Sequence, residues 1–360
     1  MKTVGYDHQV FFTQNFGGIS RYFCELIKHS KGFFNYSIGG VFSDNYYTNE
    51  LGFHHSFPIK IKNKGRMQIL LNLILQKYND LDTINKLKKK CDIYHPTYYN
   101  PRLIHKTDKP VVLTVHDMIY ELTPGDFPID NVIITQKQLM ILNATEIIAI
   151  SENTKKDVLK FYPQIPEDKI SVIYHGTSMS KYEIKEKQPY ILFTGERYFY
   201  KNFNNFILAV APLLTTYNLQ LKCTGRPFLQ SEIELLKQLN ILERTSVQFA
   251  NEDELKELYA NALCFVFPSM YEGFGIPILE AFACGCPLVL SDASCFPEIA
   301  ADAGIYFDPY SIEDMRKKIE HVICSDTLRN DFMKKGFERL EIFSWRKCTE
   351  QTAKVYERVI

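Results

Sequence analysis

The chain has 360 residues and a mass of 41.9 kDa, which exceeds the usual size of a single hydrophobic core and predicts about two domains. Lys plus Arg and Asp plus Glu each total 42, so the formal net charge of +0 excludes a protein that binds nucleic acid mainly by neutralising phosphates. Hydrophobic residues make up 46% and charged residues 23%, an ordinary globular composition that excludes a mostly disordered chain.

The sequence shows neither a membrane span nor a signal peptide. Its most apolar run, residues 69–75, includes Asn72, whereas a span needs about 18 apolar residues. The first residues lack the apolar core of a signal peptide. The nine cysteines contain no CxxC pair, which supports neither a disulfide framework nor a zinc site. We expect a cytoplasmic protein with reduced thiols and no bound metal.

Short apolar runs alternate with longer amphipathic segments, a pattern typical of βα units on parallel sheets. A first series of predicted strands covers residues 37–42, 93–95, 111–115, 147–150 and 170–173. A second series covers residues 190–194, 219–223, 247–249, 264–266, 288–290 and 304–306. The polar segment 177–189 between them is typical of a linker. The pattern predicts two Rossmann-like, doubly wound domains with a ligand cleft between them.

The segment 265–281 predicts a buried strand that runs through a glycine loop into a helix, with Pro277 in the first turn. The backbone N–H groups of residues 274–279 and the helix dipole would favour an anion at the loop. Glu272 and Glu280, separated by seven residues, could contact different parts of one extended ligand by accepting hydrogen bonds from sugar hydroxyls. The alternatives are an ordinary turn with surface glutamates, or a lapsed dinucleotide loop without its third glycine.

With Pro268-Ser269 before it and residues 280–287 after it, this segment resembles the signature of the retaining glycosyltransferases of family 4. That family has a GT-B fold and transfers a sugar from a nucleotide diphosphate to an alcohol. The resemblance covers about residues 17–309. It implies that Glu272 holds the donor sugar and Glu280 the ribose. It also implies that four loop residues contact the donor, namely Gly273, Phe274, Gly275 and Ile276.

A second strand, glycine and helix segment, residues 190–203, carries the cations Arg197 and Lys201. Two cations after a strand can neutralise a diphosphate, although a solvated basic loop is the alternative. The family resemblance implies that both residues hold the donor's diphosphate and stabilise it as a leaving group. Many relatives have the arginine directly after the glycine, where this chain has Glu196.

Two features of the N-terminal half are further candidates. Residues 14–22 predict a glycine turn that opens a helix, and Gly18 could bring its backbone close to a ligand. His116 follows a predicted strand, where a lone histidine is usually structural. A plain turn and a structural histidine are therefore the alternatives. The resemblance implies that Gly18 faces the donor phosphates and that His116 contacts the transferred sugar.

The segment 59–90 contains nine Lys or Arg residues around an apolar centre, residues 67–75. An amphipathic segment at a membrane surface and a core helix with solvated lysines explain this pattern equally well. Asp80 and Asp82 form a DxD pattern inside this segment rather than at a strand end. Since Arg197 and Lys201 already supply positive charge, we expect that no metal is needed.

These interpretations predict an acceptor-side domain over 1–180, a nucleotide-sugar domain over 188–344 and a final helix, 345–360, that returns to the first domain. The predicted activity is a metal-independent, retaining hexosyl transfer by front-side displacement, without a cofactor beyond the nucleotide sugar. GDP-mannose is the favoured donor, since residues 95–99 and 114–120 resemble mannosyltransferases.

The predicted acceptor is a glycan or polyprenyl-linked glycan in surface polysaccharide or lipopolysaccharide synthesis, and no nucleic acid partner is expected. A UDP-sugar donor stays open. An epimerase or phosphorylase of the same fold would need its own bases or a pyridoxal lysine, which are not evident. A catalytically silent nucleotide-sugar scaffold is the remaining alternative.

Overall fold

The computed structural model describes residues 1–56, 66–125, 127, 130–183 and 185–359. The chain forms two compact units. Unit 1 contains Met1–His175 and Trp345–Ile360, and unit 2 contains Gly176–Ser344. The segment expected to be a linker, residues 177–189, therefore lies wholly within unit 2, where the backbone N–H of Tyr182 donates to the carbonyl of Ala283 at 2.8 Å.

All pairings between neighbouring strands are parallel. The strands of unit 1 are β1 (Thr3–Tyr6), β2 (Asn35–Ile38), β3 (Ile93–His95), β4 (Val112–Val115), β5 (Glu146–Ala149) and β6 (Ile170–Val172). Those of unit 2 are β7 (Gln188–Phe193), β8 (Gln220–Thr224), β9 (Thr245–Gln248), β10 (Ala262–Phe267), β11 (Leu288–Ser291) and β12 (Gly304–Phe307). Parallel neighbours require crossover connections, and helices supply them.

The helices before unit 2 are α1 (Gln9–Thr13), α2 (Gly18–Lys28), α3 (Tyr46–Glu50), α4 (Arg66–Lys90), α5 (Ile119–Leu122), α6 (Asp130–Asn143) and α7 (Glu152–Phe161). Those of unit 2 are α8 (Phe203–Thr216), α9 (Gln230–Gln238), α10 (Glu252–Asn261), α11 (Ile276–Ala283), α12 (Phe296–Ala300), α13 (Ile312–Ile323) and α14 (Asp326–Leu340). Helix α15 (Trp345–Arg358) follows. Short 3₁₀ helices cover Pro101–Lys106, Glu167–Lys169, Phe199–Lys201 and Leu242–Arg244.

Unit 1 is a sheet covered on both faces. Its strands pair in the orders β2-β1-β3 and β4-β5-β6, and a bridge between Tyr94 and Val111 joins the two sets. Apolar residues of α2 and α15 form one core cluster, and those of α6 and α7 contribute to another. Within the first cluster, Tyr356 of α15 approaches Tyr6 of β1, with their hydroxyl oxygens 3.0 Å apart. Helix α15 is thus an integral layer of unit 1.

Unit 2 contains a six-stranded sheet in the order β12-β11-β10-β7-β8-β9. The chain builds outward from β7 in one direction, then crosses back to β10 and builds in the other. Loops that leave the carboxyl ends of β7 and β10 therefore separate at one point, where doubly wound sheets bind ligands. This position decides which side chains can meet at the site.

The predicted α/β architecture with two Rossmann-like units is confirmed. Every strand of the second predicted series is present, and its observed ends lie within two residues of the predicted ends. In the first series, the strand predicted at 37–42 ends at Ile38, and Phe42 instead forms an isolated bridge with His55. Strand β1 was not predicted, because Gly5 interrupts its apolar pattern. A Cβ at Gly5 would lie 2.5 Å from Leu87 Cδ2, so the close packing of α4 requires the glycine.

Candidate functional site

Lys201 and Glu272 form an ion pair at the point where β7 and β10 diverge. Lys201 follows β7 and Glu272 follows β10, and the Lys201 Nζ to Glu272 Oε1 distance is 2.6 Å. Both side chains are 16% exposed, which leaves them partly open to solvent. The structure thus brings together two residues that the sequence predicts at one site.

Backbone and side-chain contacts fix the loop that carries Lys201. The backbone N–H of Met270 donates to the carbonyl of Tyr200 at 2.8 Å and joins the loops after β7 and β10. Asn202 adopts a left-handed conformation, with φ 58°, and its amide donates to the carbonyl of Pro309 at 2.7 Å. Lys201 Nζ lies 5.1 Å from the centre of the Tyr200 ring. The ammonium group is therefore held in place before any ligand binds.

The glycine loop places Glu272 just before helix α11. Gly275 has φ 88°, a left-handed conformation that few other residues adopt, and it caps the helix. The backbone N–H of Glu272 donates to Ser294 Oγ at 3.1 Å. The predicted run of free amides over 274–279 is too long, because Pro277 has no N–H and Ile278 N donates to the Gly275 carbonyl at 2.9 Å. The backbone N–H groups of Gly275 and Ile276 come directly before Pro277 at the start of the helix.

Glu280 lies on α11 and is buried. The hydroxyl of Tyr259 donates to Glu280 Oε2 at 3.4 Å and lies 3.1 Å from Thr194 Oγ1, just after β7. The sequence does not single out Tyr259, which lies outside both motif segments, or Thr194, which ends the predicted strand 190–194. Glu272 thus belongs to a partly exposed ion pair, whereas Glu280 lies next to buried hydroxyl groups.

Arg197 is buried in an ion pair rather than solvated on its loop. Its Nη1 has no hydrogen-bond partner among the described residues, and its contact with a diphosphate stays a prediction. Its side chain is 0% exposed, and Nε lies 3.0 Å from Oε1 of Glu232 on α9. The guanidinium also donates to the carbonyls of Arg226 and Pro227, and it lies 4.9 Å from the centre of the Phe228 ring. The physical reason is the buried carboxylate of Glu232, which compensates a buried guanidinium. The Arg197 side chain fastens the loop after β8.

The residue directly after the glycine is also paired. Glu196 Oε2 lies 3.3 Å from Nε of Arg226, and Nη2 of Arg226 lies 3.3 Å from Oε1 of Glu232. Arg226 is more exposed than Arg197, with 27% of its side chain accessible. Glu196 therefore takes part in a network of two arginines and two glutamates that links the loops after β7 and β8.

In unit 1, His116 follows β4 and is buried against the ring of Tyr22, 5.4 Å away between centroids. Burial lowers the pKa of His116 well below its ordinary value, and His175 and His95 nearby lower it further. Its Nε2 is buried and has no hydrogen-bond partner among the described residues. A neutral histidine with an unused ring nitrogen can bond a hydroxyl group.

Gly18 is the first residue of α2, so the predicted glycine turn that opens a helix is confirmed. Gly18 is exposed, whereas the following face of α2 is buried in the core of unit 1. Gly18 and His116 belong to unit 1, and the other candidates belong to unit 2.

Two family models match the chain. Residues 175–339 match the model described as glycosyl transferases group 1, and residues 51–181 match the model described as glycosyltransferase family 4. Both models describe glycosyltransferases, and the chain is a glycosyltransferase of the group 1 and family 4 type. The glycosyltransferase is 29% identical over 331 residues to O-antigen chain mannosyltransferase B of Escherichia coli, which covers 83% of this chain and 84% of that protein.

Solved structures of low identity support the GT-B fold. Sucrose-phosphate synthase from Thermosynechococcus elongatus has a TM-score of 0.75 and 16% identity, and the match covers 99% of each chain. HepE from Anabaena, in complex with UDP and glucose, has the same TM-score, identity and coverage. These similarities establish the fold of the glycosyltransferase.

Replacing Glu232 by Ala should destabilise the protein by about 3–5 kcal/mol, because it leaves the buried Arg197 charge without its carboxylate. Urea unfolding provides the measurement. Glu234→Ala, an exposed position on the same helix, is the matched control and should cost less than about 0.5 kcal/mol. Equal effects of the two variants would contradict a buried, structural Arg197–Glu232 pair.

The stability of the folded protein should fall as the pH drops below about 6.5. The histidine at position 116 binds a proton in the unfolded chain at this pH, whereas burial lowers its pKa in the folded protein and keeps it neutral. The pKa values of His95 and His175, lowered to about 3 by burial, act in the same direction. Buried Asp7, whose pKa is raised, acts in the opposite direction. We therefore compare variants. His116→Gln should reduce the stability lost between about pH 7.5 and about pH 5.5 by about 1 kcal/mol.

Chemical denaturation at the two pH values measures this difference. His29→Gln is the control, since His29 lies partly exposed at the end of α2. If the pH dependence of His116→Gln equals that of the unaltered protein, His116 is not a buried neutral histidine.

Proposed function

We propose that this glycosyltransferase transfers mannose from GDP-mannose to a glycan or lipid-linked glycan, with retention of configuration and without a metal. The observation that carries the proposal is the Lys201–Glu272 pair in front of helix α11. The mannosyltransferase similarity supports the choice of donor sugar, and the O-antigen relative supports a role in surface polysaccharide or lipopolysaccharide synthesis.

In the proposed mechanism Lys201 binds the donor's diphosphate. An ammonium group has three N–H donors, so Lys201 can keep Glu272 and still reach a phosphate oxygen. The backbone N–H groups before Pro277 and the dipole of α11 add positive potential. Charge that develops on the departing diphosphate is stabilised without a metal ion. Arg197 is the second proposed cation for the diphosphate, since its Nη1 is buried and has no hydrogen-bond partner among the described residues.

The remaining roles follow from the surroundings of each residue. Glu272 accepts hydrogen bonds from the donor sugar, and Glu280 accepts them from the ribose. His116 uses its unpaired Nε2 toward a hydroxyl of the transferred sugar. Gly18, at the exposed start of α2, lets a ligand approach the backbone. The bond between the anomeric carbon and the diphosphate oxygen breaks, and the acceptor oxygen bonds to that carbon on the same face. The proton of the acceptor hydroxyl passes to the departing diphosphate oxygen.

A UDP-sugar donor is the second candidate, and the bound UDP and glucose in HepE favour it. The two candidates share the diphosphate contacts and differ in the base and the sugar. A silent scaffold would bind a nucleotide sugar without turnover.

Thermal unfolding separates these candidates. The ligands are GDP, UDP, ADP and dTDP and the corresponding nucleotide sugars, and each is measured with magnesium, with EDTA and with neither. A ligand at about 100 times its Kd adds about 2.7 kcal/mol of stability, enough to shift the melting temperature. GDP and GDP-mannose should give the largest shift, and EDTA should not reduce it. A larger shift with UDP would contradict GDP-mannose as the donor and favour a UDP sugar. A shift that requires magnesium would refute metal independence.

Replacing Glu272 by Gln should lower turnover roughly 10- to 100-fold, because a hydrogen bond to a charged group is worth about 1.5–3 kcal/mol. Nucleotide affinity should stay nearly unchanged, since the proposed contact is to the sugar. Glu234→Gln on exposed α9 is the control and should leave both unchanged. Unchanged turnover of Glu272→Gln would refute the assigned role.

We also propose that α4 places the enzyme on the inner face of a membrane, beside a lipid-linked acceptor. Side chains on one face of α4 are apolar and exposed, namely Ile69, Leu70, Leu73, Ile74, Tyr78 and Leu81. Exposed lysines lie on the same helix, at Lys77 and Lys88–Lys90. Residues 59–65 of the predicted segment, and the side chains of 66–68, lie outside the described residues.

An exposed apolar stripe with lysines matches the interface of an anionic bilayer. Across the described residues, no helix has the length and apolar character to cross a membrane. Contact through α4 would therefore be peripheral.

Leu70→Gln combined with Leu73→Gln should weaken binding to phosphatidylglycerol vesicles by roughly tenfold, because two apolar side chains lose their burial in lipid. Vesicle co-sedimentation measures this effect, and Leu142→Gln on exposed α6 is the control. Phosphatidylcholine vesicles should bind more weakly. Absent binding, or equal binding to both lipids, would refute the membrane proposal.

A further inference from the structure

A lysine occupies a core position of helix α6 in unit 1. The buried face of α6 carries Ile133, Met140 and Ile141, which belong to a core cluster. Lys137 lies three or four residues from each of them and therefore shares their face of the helix. Its side chain is 0% exposed, although lysine is among the residues that are least often fully buried.

Lys137 directs its charge at the segment that follows β4. Its Nζ donates to the backbone carbonyl of Asp117 at 2.9 Å and to Glu121 Oε2 at 2.8 Å. Asp117 Oδ1 lies 3.8 Å from the same atom. Among the described residues, Lys137 forms hydrogen bonds and ion pairs only with these two. The buried ammonium group thus joins α6 to α5 and to the loop between β4 and α5.

The same ammonium group also faces an aromatic ring that contacts His116. Lys137 Nζ lies 5.2 Å from the centre of the Tyr99 ring. The hydroxyl oxygen of Tyr99 accepts a hydrogen bond from the backbone N–H of His116 at 2.9 Å. Tyr99 therefore holds the N–H of His116, and Lys137 holds the carbonyl of the next residue, Asp117.

An apolar side chain would fill this core position at a lower cost, because both charges of a buried ion pair lose their hydration. What the polar contacts add is direction, since hydrogen bonds fix particular groups. Glu121 is fixed as well: its side chain is 4% exposed and accepts from the hydroxyl of Tyr162 at 3.4 Å. The segment that is fixed begins with His116, whose buried Nε2 has no hydrogen-bond partner among the described residues.

We propose that Lys137 is a positioning residue that holds the His116 loop, residues 116–118, so that Nε2 points at a hydroxyl of the transferred sugar. This inference rests on the proposed function for the contact between His116 and that sugar. Lys137 acts through the carbonyl of Asp117 and the ring of Tyr99 and does not touch the donor. Without its charge the loop opens more often, and the histidine ring loses its fixed position.

Amide hydrogen exchange, measured residue by residue without ligand, tests the positioning. The variant combines Lys137→Met with Glu121→Gln, which leaves neither charge buried without its partner. The amide of His116 should exchange roughly tenfold faster, whereas the amides of β5 should keep their rates. Tyr99→Phe, which retains the ion pair and removes the accepting hydroxyl, should also accelerate this exchange. Unaltered exchange at His116 in these variants overturns the proposal.

A second lysine–glutamate pair of unit 1 provides the matched control. Lys155 of α7 and Glu167 lie 2.9 Å apart, and the glutamate side chain is 71% exposed. Lys155→Met combined with Glu167→Gln should change the exchange rate of the His116 amide by less than about twofold, because an exposed pair contributes little. Equal acceleration by the control and the test variant overturns the proposal.

Calorimetric titration with GDP, GDP-mannose, UDP and UDP-glucose tests the consequence for the site. The ratio of the two Kd values within each nucleotide pair reports the contribution of the sugar. The Lys137→Met, Glu121→Gln variant should lose roughly threefold to tenfold of that contribution, the worth of one hydrogen bond. Its affinity for the nucleotide alone should stay within about twofold. Equal losses for nucleotide and nucleotide sugar would indicate a merely structural role and refute the proposal.

His116→Phe, which keeps a ring and removes its nitrogen atoms, shows whether Lys137 acts through His116. Combined with the Lys137→Met, Glu121→Gln variant, it should lower the sugar contribution no further than it does alone. A further loss of the same factor overturns the positioning role and leaves the proposed function in place. If neither sugar adds affinity in the unaltered protein, the proposed His116 contact is refuted, and hydrogen exchange alone decides whether Lys137 holds the loop.

Discussion

Lys201 and Glu272 form an ion pair across the point where the unit 2 chain reverses its direction of sheet growth, and the candidate site depends on it. The pair exists because β7 and β10 are neighbours in the sheet, although 71 residues separate the two side chains. A different strand order would place these groups on distant loops. The backbone hydrogen bond from Met270 to Tyr200 fixes the spacing of the loops that carry the pair.

The two basic residues after β7 have different environments. Lys201 is partly solvated and paired with Glu272, and an ammonium group has further N–H donors for another partner. Arg197 is buried against a carboxylate, two carbonyls and an aromatic ring, and its Nη1 has no hydrogen-bond partner among the described residues. Glu232 is shared between Arg197 and the more exposed Arg226, so its buried carboxylate has two cationic partners.

The sequence predicts most strands of unit 2, because each is a short apolar run bounded by turn residues. It also predicts that Lys201 and Glu272 serve one donor, because both follow strands, but it does not predict the ion pair between them. It does not reveal the burial of Arg197, since Glu232 lies 35 residues away on an ordinary amphipathic helix. Strand β1 escapes prediction because Gly5 satisfies a packing constraint from α4, which is visible only in three dimensions.

Helix α15 packs inside unit 1, yet the ribosome makes it only after all of unit 2. Unit 2 is a continuous stretch, so it can fold as soon as it emerges. Unit 1 cannot close its core until Trp345 and Tyr356 arrive, because both contribute buried surface against β1 and α2. During synthesis, the apolar surface that α15 will cover therefore stays open while 169 residues, 176 through 344, are translated. A chaperone that binds exposed apolar surface can therefore act on unit 1 until α15 is made.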